Sequence, residues 1–357
     1  MKVCWLTTSP APYTINLFNE IGKNITLSVV LYDMVEKNRN VEWSLAGRRN
    51  FQLYTIGKNY NDVIDKLAKD NDVLVDGFYL SKYGYKAVSV FKKYHKKIVM
   101  AADGGIPRNR GLFINGMMSY LMNRHECFLS SSSVTDNYFK YYKVDTNKIY
   151  HYKFTSLFSK DIVANRELTE SKEELRNKLG FSKFTLLSVG RPIKIKGFDI
   201  LLNAYMKSGL TNDIDLYIVG GKPQDDIQKI VDDNKLHNVY FIDVISSKEL
   251  REYYAASDAS IICSRGDVWG LVINEALSYG LPTISSNMTM AGVHFNQLCS
   301  NPIICDINDI NAFTNAIKNI YNNRNLRQEM AKQAFEVIGD YSIENSCSDI
   351  INILSLL

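Results

Sequence analysis

Strand-length apolar segments alternate with helical segments along this 357-residue chain, and this alternation most constrains its fold. The second strand segment of the amino-terminal half is nearly all apolar, which is typical of a parallel strand that is covered on both faces. Alternating strands and helices predict doubly wound, parallel α/β sheets. The predicted strands of this first series are 2–6, 25–32, 73–75 and 97–100. Because a second series starts at residue 184, we predict two Rossmann-like α/β domains.

The length of the chain also favours two domains, because 357 residues exceed what one hydrophobic core comfortably organises. A highly charged segment over residues 159–183 separates the two series. We place the first domain at 1–158 and the second at 159–340. The last segment, 341–357, has the pattern of a helix with no strand after it.

The segment 264–282, SRGDVWGLVINEALSYGLP, predicts a tight loop followed by a helix that ends at Gly280. Gly270 opens the helix, so its first backbone amides and the positive end of its dipole can meet a phosphate. The loop must turn Asp267 toward the ligand of Glu275, since the two acids are eight residues apart. An ordinary Rossmann-type helix with a solvated Glu275 remains the alternative.

A second motif, SVGRPIKIKGFD over residues 188–199, places Gly190, Arg191 and Lys196 after another strand. Arginine offers a planar fork to phosphate oxygens and lysine offers a mobile charge. Two cations and a helix N-terminus can stabilise a diphosphate leaving group without a metal. Gly220 and Gly221 follow the next strand and let another loop approach a nucleotide closely. A solvated basic loop is the alternative reading.

These two motifs resemble the donor-sugar signature of retaining GT-B glycosyltransferases of family 4. The resemblance lies in an acid, seven residues, and then Glu-Ala, with an aromatic-glycine pair inside. The first acid of that family is usually Glu, whereas this chain has Asp267, as do some capsule-type members. The resemblance implies two Rossmann-like domains that face each other across a cleft, a nucleotide diphosphate sugar as donor, and retention of the anomeric configuration.

The resemblance also implies roles for individual residues. Arg191 and Lys196 hold the diphosphate and take its developing charge, and Asp267 engages the donor sugar. Glu275 accepts hydrogen bonds from the ribose hydroxyls, for which a carboxylate is suited. We therefore predict Arg191, Lys196, Asp267 and Asp103 as catalytic. The predicted donor-binding residues are Gly190, Gly220, Gly221, Val268, Trp269, Gly270, Leu271 and Glu275.

The amino-terminal half resembles bacterial polysaccharide glycosyltransferases more weakly. Asp103 and Gly104 lie in a glycine-rich loop after a strand, where open α/β sheets place ligands. With Pro12 and Tyr13, they are the predicted acceptor-binding residues, for a saccharide or lipid-linked saccharide acceptor. Many relatives carry another acid where this chain has Ala101. A turn acid that binds neighbouring amides is the alternative for Asp103.

Two stretches suggest a membrane surface. Residues 82–97 combine lysines with aromatic residues, which suits either an anionic surface or a solvated helix face. Residues 112–122 are apolar and methionine-rich, and they are either a packed helix or a membrane-facing, lipid-acceptor surface. Nucleic acid is disfavoured as a partner, because no binding motif accompanies these stretches.

Several function classes are disfavoured by the sequence. The first half has no GxGxxG, and Asp70-Asn71-Asp72 and Asp213-Ile214-Asp215 are most simply surface turns, so no dinucleotide, metal or other cofactor is predicted. Six dispersed cysteines and the lack of a signal or membrane-spanning run indicate a cytoplasmic protein, free or peripheral at the inner face of the membrane. A nucleotide-sugar epimerase of the same fold, or a non-catalytic sugar-nucleotide-binding protein, remains an alternative.

Overall fold

The computed structural model describes residues 1–8, 11–32, 49–57, 59–166 and 171–357. These residues form two compact units. The first unit comprises Met1–Ser156 together with Ser342–Leu357, and the second comprises Leu157–Tyr341. The chain therefore changes units after Ser156 and again after Tyr341, where the sequence had suggested changes after residues 158 and 340.

The first unit contains a seven-stranded sheet in which every described strand pair is parallel. Its strands are β1 (Lys2–Thr7), β2 (Thr26–Leu31), β3 (Gln52–Thr55), β4 (Val73–Asp76), β5 (Lys97–Ala102), β6 (Cys127–Ser130) and β7 (Ile149–His151). Its helices are α1 (Pro12–Ile21), α2 (Tyr60–Asp70), α3 (Lys82–Lys93), α4 (Leu112–Met122), α5 (Ser133–Tyr141) and α15 (Ile343–Ser355). The strand order β3-β2-β1-β4-β5-β6-β7 reverses direction between β1 and β4.

The second unit contains a six-stranded parallel sheet in the order β10-β9-β8-β11-β12-β13. Its strands are β8 (Phe184–Val189), β9 (Ile214–Val219), β10 (Val239–Ile242), β11 (Ala259–Ile262), β12 (Thr283–Ser286) and β13 (Ile303–Cys305). Its helices are α6 (Ser159–Arg166), α7 (Lys172–Leu179), α8 (Phe198–Lys207), α9 (Asp225–Asp233), α10 (Ser247–Ala256), α11 (Leu271–Ser278), α12 (Met290–Cys299), α13 (Ile310–Asn322) and α14 (Arg324–Ile338). In this sheet the strand order reverses between β8 and β11.

The predicted α/β class with two parallel sheets is confirmed. The buried faces explain it, because the central strands carry apolar side chains toward both helix layers. In the second unit, Leu201 of α8 and Phe313 of α13 pack with Ile218 and Ile261 of the sheet in one fully or almost fully buried cluster. The short strands β3, β6, β7 and β13 had not been identified individually from the sequence.

Helix α1 begins at Pro12, because proline has no amide to lose at the first helical position and its φ already suits a helix. One local expectation differs from the structure. The expectation that Asp213-Ile214-Asp215 forms a surface turn was wrong for Asp215, which lies inside β9 and is 4% exposed.

The last helix, α15, completes the first unit. Its residues Ile343, Ile350 and Leu354 are at most 2% exposed, and the helix packs against α1. The Lys153 ammonium lies 3.1 Å from the Asp349 carboxylate, so an ion pair also joins α15 to the segment after β7. The polypeptide thus leaves the first unit, forms the whole second unit, and returns.

Candidate functional site

Predicted site residues of the second unit converge at the carboxyl ends of three neighbouring strands. Gly190 and Arg191 follow β8, Gly220 and Gly221 follow β9, and Asp267 lies in the loop after β11. Strands β8 and β11 are adjacent at the point where the strand order reverses. Open α/β sheets bind ligands in the crevice outside such a point, so this edge is the candidate site.

The glycines at this edge let the loops after β8 and β9 touch. Gly220 has φ of 136°, and a Cβ built there would lie 2.5 Å from the carbonyl oxygen of Gly190. Gly221 has φ of 133°, and its Cβ would lie 3.3 Å from the Pro192 ring. A side chain is excluded at Gly220 by the Gly190 backbone, and the φ of Gly221 favours glycine, so the two loops approach each other closely.

Lys196 and Asp267 are brought into direct contact. The Lys196 ammonium lies 2.6 Å from Oδ2 of Asp267, and both side chains are mostly buried, at 23% and 20% exposure. The aliphatic part of Lys196 runs over Gly190, within 3.5 Å of where a Cβ would stand. Residues predicted from two separate motifs therefore form one ion pair at the reversal point.

Gly197 fixes the position of that lysine. The residue has φ of 69°, and a Cβ there would lie 1.9 Å from the carbonyl oxygen of Cys263, at the end of β11. Only glycine allows this approach of the start of α8 to the next loop. The turn that carries Lys196 is thereby pressed against the segment that leads to Asp267.

A second ion pair, which sequence reasoning missed, joins the same two loops. The Arg265 guanidinium contacts both oxygens of Asp199 at 2.7 and 2.5 Å, and it also donates to the carbonyl oxygen of Lys194 at 2.9 Å. The hydrogen bonds from Arg265 lower the pKa of Asp199 below its ordinary value. The Arg265–Asp199 ion pair holds the β8–α8 loop to the β11–α11 loop, and so it positions Lys196 and Asp267.

Arg191 differs from the other cation of its motif. Its side chain is exposed at the carboxyl end of β8. Within the part of the chain that the structure describes, the Arg191 guanidinium has no ion-pair or hydrogen-bond partner, whereas its backbone carbonyl accepts from the Ile193 amide at 2.8 Å. An exposed guanidinium in the same loop as Lys196 can bind an oxyanion that carries two negative charges.

The loop from Asp267 to Leu271 is fixed by both its backbone and its aromatic side chain. The Asp267 amide donates to the Met288 carbonyl at 2.9 Å. The Trp269 side chain is buried, at 3% exposure, and its indole N–H donates to Oδ1 of Asn274 at 2.8 Å. The tryptophan ring therefore anchors the loop to the interior, while the neighbouring Val268 is 53% exposed.

Gly270 starts helix α11 at this edge. Its φ is 101°, and a Cβ there would lie 2.6 Å from the Thr289 methyl group. The helix has no side-chain N-cap, and Leu271 is its first residue. The Ile273 amide donates to the Gly270 carbonyl at 2.9 Å, and the positive end of the helix dipole still makes this end suited to an anion.

Glu275 lies one turn into α11, and its partner was not anticipated. The hydroxyl of Tyr254, on α10, donates to Oε2 of Glu275 at 2.9 Å. Tyr254 is 2% exposed and stacks on Tyr279 with a ring separation of 5.6 Å. Burial, and then the charge of Glu275, raise the pKa of Tyr254 well above its ordinary value, so the tyrosine stays protonated and orients the carboxylate.

The predicted acceptor-binding residues form a second group, in the first unit. The Tyr152 hydroxyl donates to Oδ1 of Asp103 at 3.2 Å. Ring contacts lead from Tyr152 to Phe154 at 6.1 Å and from Phe154 to Tyr13 at 5.5 Å. The loop carrying Asp103 and the start of α1 are therefore linked through Tyr152 and Phe154, neither of which was a predicted site residue.

The protonation of Asp103 is shifted by its surroundings. The residue as a whole is exposed, yet the crowded loop desolvates its carboxyl group. This desolvation raises the pKa of Asp103 to about 6, although the hydrogen bond from Tyr152 acts in the opposite direction. Pro12 is the first residue of α1, and Gly104 is buried directly after the acid.

The residues that the structure describes lack several features that are typical of other site types. They contain no group of three or more histidine, cysteine, aspartate or glutamate side chains that could hold a metal ion. All six cysteines are buried as free thiols. No helix within the described ranges has the length and apolar character needed to cross a membrane.

The segment 171–337 matches the family model of glycosyl transferases group 1. This segment holds every predicted site residue of the second unit. A protein of Klebsiella pneumoniae, described as an uncharacterised 41.2 kDa protein in the cps region, is 33% identical over 34% of this chain and 33% of its own length. The Escherichia coli O-antigen biosynthesis glycosyltransferase WclY is 32% identical over 30% of this chain and 29% of its own length. The chain thus spans about a third of these relatives' lengths.

The fold matches solved structures along its whole length, among them a glycosyltransferase of Rickettsia africae, with a TM-score of 0.80 over 99% of this chain and 98% of that chain at 15% identity. Anabaena HepE, in a crystal structure with UDP, superposes with a TM-score of 0.81 and covers 100% of both chains at 16% identity. At this identity the likeness establishes the fold, that of two parallel-sheet α/β domains of the GT-B type.

Proposed function

We propose that this protein is a retaining glycosyltransferase of family 4. It transfers a sugar from a nucleoside diphosphate donor to a saccharide or lipid-linked saccharide, in the assembly of a bacterial surface polysaccharide. The observation that carries the proposal is the contact of Lys196 with Asp267 at the strand reversal of a segment that matches group 1 glycosyltransferases, with Arg191 in the same loop as Lys196. The relatives from a cps region and from O-antigen biosynthesis favour a surface polysaccharide as the product.

The donor diphosphate binds between Arg191 and the first turn of α11. Its negative charge competes with Asp267 for the Lys196 ammonium, because both anions seek the same cation. Once Lys196 turns to phosphate, the Asp267 carboxylate accepts hydrogen bonds from the sugar hydroxyls. The Lys196–Asp267 ion pair is thus the arrangement of the free site. When the donor substrate binds, a contact of Lys196 with phosphate and a contact of Asp267 with the sugar replace this ion pair.

Transfer breaks the bond between the anomeric carbon and the phosphate oxygen. The electron pair of that bond goes to the diphosphate, where Arg191 and Lys196 stabilise the developing charge. The acceptor hydroxyl oxygen forms the new bond to the anomeric carbon, and its proton passes to the departing phosphate oxygen. Glu275, which Tyr254 orients, accepts hydrogen bonds from the ribose hydroxyls and so keeps the nucleotide in place.

Asp103 is our proposed acceptor-side acid. With a pKa of about 6, it is mostly ionised at pH 7 and can accept a hydrogen bond from the acceptor hydroxyl. Tyr13 and Pro12, at the start of α1, supply an apolar and aromatic face for a sugar ring. We place the enzyme in the cytoplasm or at the inner face of the membrane, where nucleotide sugars are made.

The first test measures release of nucleoside diphosphate from a panel of nucleotide sugars, with and without a lipid-linked acceptor. We expect Arg191→Ala and Lys196→Ala each to lower turnover by roughly 10²–10³, since each removes a charge that stabilises the leaving group. Lys229→Ala, an exposed lysine on α9, is the matched control and should leave turnover unchanged. Near-normal turnover in both site variants would overturn the phosphate role.

The same assay separates the rival functions. Diphosphate release that needs no acceptor identifies an epimerase or hydrolase, and donor binding without release identifies a binding protein. We also propose that the two cations replace a metal ion, so turnover should persist in a chelator. Activity that falls to background in chelator and returns with a divalent ion would contradict that part.

A further inference from the structure

Helix α4 exposes most of its apolar side chains. Leu112 is 95% exposed, Phe113 85% and Tyr120 68%. Met117 and Ile114 are also exposed, at 45% and 40%. Soluble proteins seldom expose so many large apolar side chains together, and such a patch is typical of an interaction surface.

The exposed face is held firmly on the unit. Met118 and Met122 are the buried residues of α4, and they lie in the core cluster of α5 and β6. The Ser119 hydroxyl donates to the carbonyl oxygen of Tyr142 at 2.6 Å, and the Asn115 amide contacts the Tyr141 hydroxyl at 3.3 Å. The opposite side of the helix is therefore fixed, and the apolar side chains are presented outward.

The exposed residues Phe113, Met117 and Tyr120 follow helical spacing and lead to Arg124, just after α4. We call these four residues, together with the neighbouring Leu112, the α4 stripe. On α3, a second exposed stripe consists of Lys82, Lys86, Ser89 and Lys93, with the same spacing. The two stripes meet, because the Arg124 guanidinium donates to the Ser89 hydroxyl at 3.0 Å.

The surface is strongly basic. Residues 82–97 contain six lysines and residues 108–124 contain three arginines, and neither stretch contains an aspartate or a glutamate. A neighbouring acid is Glu126, whose carboxylate lies 3.7 Å from the Lys97 ammonium. Nine cations in two acid-free stretches are conspicuous in a chain whose formal net charge is only +4.

We propose that the α4 stripe and the lysine stripe of α3 together form a docking surface for an anionic lipid bilayer. The apolar side chains enter the boundary between headgroups and acyl chains, and the cations contact anionic headgroups. A second copy of this chain is the poorer occupant, because two equally basic faces repel each other. The helix lies on the membrane, since its 11 residues are too few to span one.

The purpose of this docking rests on the proposed function, because a lipid-linked acceptor is presented at a membrane. Binding of the chain to a bilayer does not require catalysis, so it can be tested without the transfer reaction. The full chain is mixed with vesicles of phosphatidylcholine alone, or with phosphatidylglycerol added, and the bound fraction is measured by sedimentation. Neither donor nor acceptor is present, so failure here leaves the transfer reaction untouched.

We expect the wild-type chain to bind the anionic vesicles and to dissociate at high salt. Leu112→Ser with Phe113→Ser should lower the partition coefficient at least about tenfold, since two large apolar side chains lose their burial. Lys82→Glu with Lys86→Glu should weaken binding to anionic vesicles by at least a similar factor. All four residues are exposed, so the melting temperature should not change.

Matched controls come from the second unit. Val244→Ser with Leu298→Ser removes apolar side chains that are 56% and 50% exposed. Lys318→Glu with Lys332→Glu changes the same charge on exposed positions of α13 and α14. Both control variants should bind the vesicles as the wild type does.

A spectroscopic variant gives a positive readout. In Phe113→Trp, the added indole should shift its fluorescence to shorter wavelength on anionic vesicles and be quenched by brominated lipid. The proposal is overturned if the wild type ignores anionic vesicles, or if the stripe variants bind as tightly as the controls. A wild-type dimer that Leu112→Ser with Phe113→Ser turns into a monomer, with unchanged vesicle binding, would assign the face to self-association instead.

Discussion

Asp215 is a buried carboxylate that the fold does not fully satisfy. It is 4% exposed inside β9, and its Oδ1 has no hydrogen-bond partner among the described residues. Burial raises the pKa of Asp215 above its ordinary value of 3.8, more strongly than the charges of Lys183 and Arg176 lower it. Because the folded-state pKa is raised, the contribution of this group to stability is fully present below pH 3.8 and is lost as pH rises through the folded value.

Asp215→Asn should therefore stabilise the protein at pH 7, by about 1 kcal/mol, because it removes a charge that folding desolvates. The gain should vanish near pH 3.5, where the native carboxyl is already neutral. Thermal unfolding at both pH values checks this. Asp213→Asn, two residues earlier and exposed, is the control and should change little at either pH. A loss of stability at pH 7 would mean that the carboxylate has a favourable role.

At the scale of elements, the close contact between the end of β11 and the start of α8 depends on Gly197. A methyl group there would overlap the Cys263 carbonyl oxygen, so the two loops of the site would have to separate. Gly197→Ala should lower the free energy of unfolding by at least about 3 kcal/mol, from left-handed strain and overpacking together. It should also lower activity, since the turn bearing Lys196 moves.

Gly209 supplies the matched control for this change. Its φ of 68° nearly equals the 69° of Gly197, but a Cβ there meets nothing within 4 Å. Gly209→Ala should therefore show the strain alone, about 1 kcal/mol, with normal activity. Equal unfolding free energies for the two variants in denaturant titrations would contradict the close approach.

The sequence predicts those elements whose signal is local. Strands such as β8 and β11 are mostly apolar runs of strand length, and Asp267 and Glu275 belong to one spaced motif, so both the strands and the motif could be identified. Strands β7 and β13 have three residues each, which is too short for a period to emerge. The contact of Tyr254 with Glu275 joins positions 21 residues apart on different helices, and no spacing rule indicates it.

For α4, the sequence does not distinguish a packed helix from a membrane-facing one. Its sequence is apolar nearly all round, so periodicity could not indicate which side is buried. Tertiary contacts determine which side of α4 is buried, since Met118 and Met122 are the residues of this helix that lie in the core. The contact of Arg124 with Ser89, which unites two stretches that the sequence had treated separately, is likewise a property of the fold.

At the scale of the whole molecule, the two units are unequal in how the chain builds them. The second unit is one continuous segment, Leu157–Tyr341, whereas the first needs both ends of the chain. Helix α15 covers α1 with buried isoleucines, and the Lys153–Asp349 ion pair fastens it. The first unit therefore cannot complete its core until the last residues are available.

This division predicts where a mutation near the end of the chain acts. Ile350→Ala, at a position with 0% exposure, should cost about 2–5 kcal/mol through lost burial and a cavity against the first unit. Hydrogen exchange should accelerate in peptides from residues 1–156, although these lie far away in sequence, and stay unchanged over 171–337. Asn352→Ala, an exposed position on the same helix, should alter neither set of peptides. Faster exchange confined to the second unit would contradict the assignment of α15, whereas the expected pattern would show that the carboxyl terminus stabilises the amino-terminal unit.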